Sequence, residues 1–255
     1  MRSFNDLLHA PAPVFGTWLQ MPCADVVDIV AASGYGFGIV DLEHGSFDFG
    51  AADMLVRACD ANGIVPFVRV PDAHVPTITK ALDCGAAAVI VPRVASVDDA
   101  RTAIAATRWA PDGTRGACPC VRSGGHFVRD WPRFRAERQA AAGALLLIET
   151  PGAIDAIDDI CALDGLRGIV LGPFDLAVAM GLDGDWRAAA VQDALERVVH
   201  AATAHGVPAV MPMFDTDPAQ TRARVMHWQR LGVRLFAIGT DKIFLSLAAR
   251  SFLPG

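Results

Sequence analysis

In Phe37-Gly38-Ile39-Val40-Asp41-Leu42-Glu43-His44-Gly45 an apolar run gives way to three ionisable side chains within four residues. A buried strand looks like this where it delivers polar groups to the open end of a sheet. Taken alone, the stretch fits equally well a strand end whose acids cap the next helix. Its recurrence along the chain decides between the two.

Moving outward from it, short apolar runs alternate with helical patterns almost to both ends. Strands are expected at 14–19, 37–41, 64–70, 87–91 (ended by Pro92), 144–149, 168–171, 208–211 and 235–238. Helices are expected at 25–33, 49–62, 75–84, 97–107, 153–163, 186–205, 217–231 and 241–252. Gly63, Gly85, Gly206 and Gly232 stand where helices should stop. The strands are continuously apolar, as parallel strands buried on both faces are. Eight such units in 255 residues imply a single (β/α)8 TIM barrel domain spanning residues 1–255. A doubly wound sheet is disfavoured, since no Gly-x-Gly-x-x-Gly follows the first strand. The rhythm breaks once, between strands 4 and 5. There Trp109 to Gly143 form an excursion with Arg115-Gly116, Cys118-Pro119-Cys120, Gly124-Gly125 and a helix from Trp131. Such an excursion suits a lid or an oligomer contact.

Composition removes several classes of function. A net charge of -6 without basic runs argues against nucleic-acid binding. No apolar segment is long enough to cross a membrane, and the N-terminus lacks a signal-peptide core, so a cytoplasmic protein is the expectation. Six scattered cysteines, with Cys118 and Cys120 the single close pair, suggest neither a disulfide framework nor a zinc site.

In a barrel the C-terminal strand ends share one mouth, where chemistry collects. Those ends hold Trp18 and Gln20, Asp41, Glu43 and His44, Arg69, Arg93, Glu149 and Asp175. Glu149 follows four large apolar residues, and a lone buried carboxylate is costly without a compensating cation. Glu149 and Asp175, from neighbouring strands, suit a hard divalent ion such as Mg2+ or Mn2+. Arg69 either neutralises Glu149 or Asp41, or holds a substrate carboxylate or a developing enolate. His44 is either a hydrogen-bonded structural histidine or a general base. His126 is at most an accessory group. Trp186 is expected in the core or at an interface, and Asp241 argues against phosphate at the last helix. The two lysines, Lys80 and Lys242, fall at helix positions, which disfavours a Schiff-base mechanism.

The chain resembles the HpcH/HpaI aldolase family, the class II pyruvate aldolases. The resemblance rests on Gly16-Thr17-Trp18, on 40–45, on 66–70, on Ala81-Leu82-Asp83-Cys84-Gly85-Ala86, on Val91-Pro92-Arg93-Val94 and on Gly113-Thr114-Arg115-Gly116. Ile148-Glu149-Thr150, Gly172-Pro173-Phe174-Asp175-Leu176 and Gly239-Thr240-Asp241 extend it. It implies reversible aldol cleavage of a 4-hydroxy-2-oxo acid into pyruvate or hydroxypyruvate and an aldehyde, through an enolate on Mg2+, Mn2+ or Co2+ and without an organic cofactor. It implies Glu149 and Asp175 as metal ligands, Arg69 as enolate stabiliser and His44 as base. Trp18, Leu147, Gly172, Pro173 and Phe174 would contact the substrate, and Asp41 and Glu43 would orient His44 or nearby waters. It further implies a homohexamer in which a neighbouring subunit contributes Asp83.

Two positions depart from the family pattern. Leu147 replaces a common glutamine, and Phe174 replaces a small residue, so a narrower, more apolar pocket is expected. The alternatives are a CoA-thioester lyase of the citrate lyase β or malyl-CoA lyase type, a phosphate-binding barrel isomerase and a catalytically silent binding barrel. The short C-terminus and acidic charge weigh against the first, Asp241 against the second, and the joint presence of Glu149, Asp175, Arg69 and His44 against the third.

Overall fold

Eight parallel strands close on themselves in sequence order: β1 (Val14–Leu19), β2 (Phe37–Asp41), β3 (Val65–Arg69), β4 (Ala88–Val94), β5 (Ala144–Ile148), β6 (Gly168–Leu171), β7 (Ala209–Met213) and β8 (Leu235–Thr240). The barrel seam is the β1–β8 pairing. This is a computed structural model, and it describes residues 3–254. The expected (β/α)8 barrel is what the chain forms.

Successive strand side chains point to opposite faces. Ile39 and Phe37 of β2, Phe67 of β3, Leu145 and Leu147 of β5 and Trp18 of β1 belong to one buried cluster, the barrel interior. Their neighbours Val40, Val68 and Leu146 belong to another, packed against the helices. The interior is therefore filled with side chains and is not a pore. Phe37 and Phe67 stack across it with centroids 5.1 Å apart. Gly16 makes this possible, because a Cβ there would lie 2.2 Å from the Phe37 ring.

The N-terminal helix Phe4–Leu8 closes the far end of the barrel. It was not among the expected elements, being too short to show a period. Its readable signal was a capping box, in which Ser3 and Asp6 bond each other's backbone N–H groups. Phe4 inserts edge-on against Phe67 at 5.5 Å.

Three expectations are corrected. Pro92 does not end β4; the strand runs on to Val94, and the β4–β5 register shifts between Val91 and Val94. Proline has no N–H to give the ladder, so the pairing skips over it. The single helix expected at 153–163 is two short ones, Pro151–Asp155 and Ile157–Cys161. The long helix expected from Trp186 starts at Ala189, leaving Trp186 in a loop.

The last helix, Asp241–Ser251, buries only Asp241, whose carboxylate accepts the backbone N–H groups of Gln20 and Met21, both at 2.8 Å. Among the described residues no helix is long and apolar enough to cross a membrane. Gly16→Ala should force the Phe37–Phe67 stack apart and cost about 1–3 kcal/mol, read as a lower urea midpoint.

Candidate active site

One further step along the inward-facing columns leads from hydrocarbon to charge. After Ile39 comes Asp41, after Phe67 comes Arg69, after Leu147 comes Glu149, and after Trp18 comes Gln20. Strand periodicity thus sets four polar side chains on the apolar plug, at the C-terminal mouth.

Arg69 is held from two sides. Its Nε and Nη2 donate to the two Asp41 carboxylate oxygens at 2.8 and 2.6 Å, and its Nη1 lies 3.2 Å from Glu43. Its guanidinium stacks on Trp18, 4.4 Å from the ring centroid. Asp41 is fully buried. It also accepts Gln20 Nε2 at 2.8 Å and the backbone N–H groups of Glu43 and His44 at 3.1 and 3.2 Å. Burial alone would raise its pKa. The Arg69 guanidinium, helped by Gln20 and the His44 N–H, outweighs that and holds it below the ordinary value. Of the two readings left open for Arg69, neutralisation of Asp41 is present, and the bond to Glu149 is not. Asp41 and Glu43 were expected to orient His44 or nearby waters. Asp41 does bond the His44 backbone, but both carboxylates are committed chiefly to Arg69.

Glu149 sits beyond the end of β5, 7% exposed. Burial pushes its carboxyl up to about 7, with the charges of Asp175 and Glu43 adding to the rise. Its Oε1 accepts the Arg93 backbone N–H at 2.7 Å. Arg93 has φ +60°, a left-handed conformation that costs a non-glycine residue about 1–3 kcal/mol. That strain, at the β4 irregularity, aims an amide at Glu149, while the Arg93 side chain bonds Glu43 at 2.9 Å. Gly172 makes room: a Cβ there would lie 2.5 Å from the Glu149 Cβ. Asp175 stands in the first turn of the helix Pro173–Ala179, where the helix dipole favours an anion.

A narrow cleft of about 40 Å3 descends between Trp18, Leu147, Glu149, Pro173 and Asp175. It opens into a cavity of about 490 Å3, reached by His44, Arg69, Phe174 and Asp175. Trp18, His44, Arg69, Leu147, Glu149, Gly172, Pro173, Phe174 and Asp175 thus all line one continuous site. Asp83 does not. It ends the helix Val75–Asp83 and bonds Arg115 of the excursion at 2.7 Å. His126 does not line the site either.

Trp186 and Phe214 do line the cavity. Trp186 is expected in the core or at an interface and instead faces this cavity, and Phe214 carried no signal beyond its place after β7. A second large cavity, about 470 Å3, lies at the opposite end among Pro11, Pro13, Tyr35 and Asn62, and among the described residues its lining includes no Asp, Glu, His, Lys or Arg.

A model of the HpcH/HpaI aldolase/citrate lyase family matches residues 15–238. The chain belongs to this family. It is 31% identical to the hydroxypyruvate/pyruvate aldolase of Roseovarius nubinhibens, over 98% of this chain and 95% of that one. It is 30% identical to the 4-hydroxy-2-oxo-heptane-1,7-dioate aldolase of Salmonella arizonae, over 98% and 92%. Among solved structures it is similar to an HpcH/HpaI aldolase of Desulfitobacterium hafniense DCB-2, with a TM-score of 0.89 and 26% identity over 100% and 99% of the two chains. It is also similar to the citrate synthase SbnG, with a TM-score of 0.84 and 27% identity over 98% and 96%.

Two outcomes follow from the geometry. Asp41 has a folded pKa below its ordinary value of 3.8, so its contribution to stability is complete above that value and is lost as pH falls through the lower folded one. Asp41→Ala should cost about 3–5 kcal/mol near pH 7, and the gap to wild type should narrow in urea titrations below pH 4. Gly172→Ala should crowd Glu149 off its bond to the Arg93 amide and cost about 1–3 kcal/mol, read as a lower urea midpoint.

Proposed function

We propose that the protein is a divalent-metal-dependent class II aldolase. It reversibly cleaves a 4-hydroxy-2-oxo acid to pyruvate or hydroxypyruvate and an aldehyde. One observation carries the reading. Asp41 and Glu43 are matched by Arg69 and Arg93, whereas Glu149 and Asp175 are bonded to no cationic side chain among the described residues. Two neighbouring carboxylates, one of them buried, suit a divalent cation. Among the described residues no cluster of three or more His, Cys, Asp or Glu side chains is arranged to hold a metal. Glu149 and Asp175 would therefore hold it with water and substrate oxygens, a donor set that fits Mg2+, Mn2+ or Co2+. Such a cation, when bound, draws electron density from the carbonyl and carboxylate of the 2-oxo acid.

The chain's own groups supply the rest. In cleavage, His44 takes the proton of the C4 hydroxyl. The C3–C4 electron pair moves toward the C2 oxygen as the aldehyde forms, and His44 then returns its proton to C3. Three of the five Arg69 N–H groups are used by Asp41 and Glu43, which leaves two for the enolate oxygen. Those two are pre-aimed, because the acids below lock the guanidinium. Leu147 and Trp18 keep water from the floor. No lysine lines the cavity among the described residues, and no step calls for an organic cofactor.

The unit is a homohexamer, in which Asp83 of one copy approaches His44 of another. Support comes from Asp83 lying off its own mouth, anchored by Arg115. The last helix and the two residues after it leave Leu245, Leu247, Phe252 and Leu253 exposed, while an apolar groove of Phe15, Val225, Met226 and Ile238 stays open on the barrel wall.

The test is deuterium exchange at C3 of pyruvate, followed by NMR. Exchange should require Mg2+, Mn2+ or Co2+ and stop with EDTA. Glu149→Gln and Asp175→Asn should lose both exchange and metal binding. Arg69→Lys keeps a cation against Asp41, and should keep the metal while slowing exchange about 10²–10³-fold. Exchange that survives chelation would overturn the mechanism.

A further inference from the structure

Part of the wall of the mouth is aromatic. Phe174, Trp186 and Phe214 face the 490 Å3 cavity together with Ile243. This wall is braced from behind. Arg187 lies 4.1 Å and Arg224 4.3 Å from the Trp186 ring centroid, so the indole is stacked by two guanidiniums. Both are tied to Asp215, whose side chain is fully buried, at 2.9 and 3.3 Å. Gln192 adds a bond to the Trp186 carbonyl at 2.5 Å. Phe174 rests on the loop before Trp186, close enough that a Cβ on Gly184 would lie 2.7 Å from its ring.

What the wall lacks is as informative. Among the described residues lining the cavity, Arg69 is the one permanently charged cation, and Asp41 and Glu43 already hold it. Arg187 and Arg224 do not line the cavity; they lie behind the rings, paired with Asp215, and Arg224 Nε and Nη2 have no hydrogen-bond partner among the described residues. A substrate arm ending in a carboxylate would meet rings there, and no cation on the lining that is not already paired.

Resting on the aldolase reading above, we propose that the aldehyde subsite is the cleft of Phe174, Trp186 and Phe214, and that it selects an uncharged aromatic aldehyde over one with a distal carboxylate. The ring of the aldehyde packs on Trp186 and Phe214, which places its carbonyl carbon toward the pyruvate C3 held above Leu147. In addition, the C3–C4 bond forms and the aldehyde oxygen takes the proton from His44.

The experiment uses the metal-loaded protein with pyruvate and compares kcat/KM for benzaldehyde and phenylacetaldehyde with that for succinic semialdehyde. The aromatic aldehydes should be favoured by tenfold or more, on the order of one good ring contact. Trp186→Ala should raise KM for benzaldehyde about tenfold more than KM for succinic semialdehyde. Phe174→Ala, at a half-exposed side chain that carries little of the fold, should shift the same ratio in the same direction. Pyruvate C3 exchange by the wild type separates the two readings. Without exchange, the aldolase reading and this one fall together. With exchange, this one alone falls if succinic semialdehyde is used as well as the aromatic aldehydes, if neither aromatic aldehyde turns over, or if both variants leave the ratio unchanged.

Discussion

The Arg69 guanidinium, buried between Asp41 and Glu43, is the constraint on which the mouth of the barrel depends. A buried charge is tolerated only when paired and fully hydrogen-bonded. Here Asp41 takes two guanidinium bonds, an amide from Gln20 and two backbone N–H groups. One carboxylate therefore joins β1, β2, β3 and the loop that carries His44. The same pairing consumes the charge of Arg69, so the arginine offers hydrogen bonds to a ligand more than it offers unbalanced charge. That leaves Glu149 and Asp175 as the carboxylates of the site bonded to no cationic side chain among the described residues.

Room for Glu149 comes from what its neighbours lack or endure. Gly172 has no Cβ to collide with it, and Arg93 accepts a left-handed backbone to give it an amide. Pro92, by breaking the β4–β5 ladder, frees that amide to turn toward the site. These are local departures from ideal strand geometry, and they gather around one acid. Strain concentrated at a single group is what a preorganised site requires.

Much of this was legible in the sequence, for a physical reason. The eight apolar runs and their helix stops report directly on burial. In a closed parallel barrel the residue that follows each run must arrive at the common mouth. Asp41, Arg69, Glu149 and Asp175 could thus be gathered without coordinates. The N-terminal helix escaped because five residues cannot show a 3.6-residue period. Trp186 escaped because a tryptophan beside a helical pattern resembles a core or interface residue. Its place at the mouth comes from a loop whose path depends on Phe174, Gly184 and the Asp215 anchor, which lie far apart in the chain. The extent of β4 was misjudged because proline ends pairing without ending the strand.

By itself, the sequence determined the order of strands and helices, the inward column of side chains on each strand, and the polar residue that tops each column. Those features follow from periodicity and from the cost of burying charge, both of which act locally. Only the tertiary structure decided who pairs with whom. It gave Arg69 to Asp41 and Glu43, left Glu149 with a backbone amide, tied Asp83 to Arg115, and made Trp186, expected in the core or at an interface, a wall of the cavity. Each of these depends on which side chains the closed barrel brings within hydrogen-bond or contact distance, and separation along the chain carries no record of that.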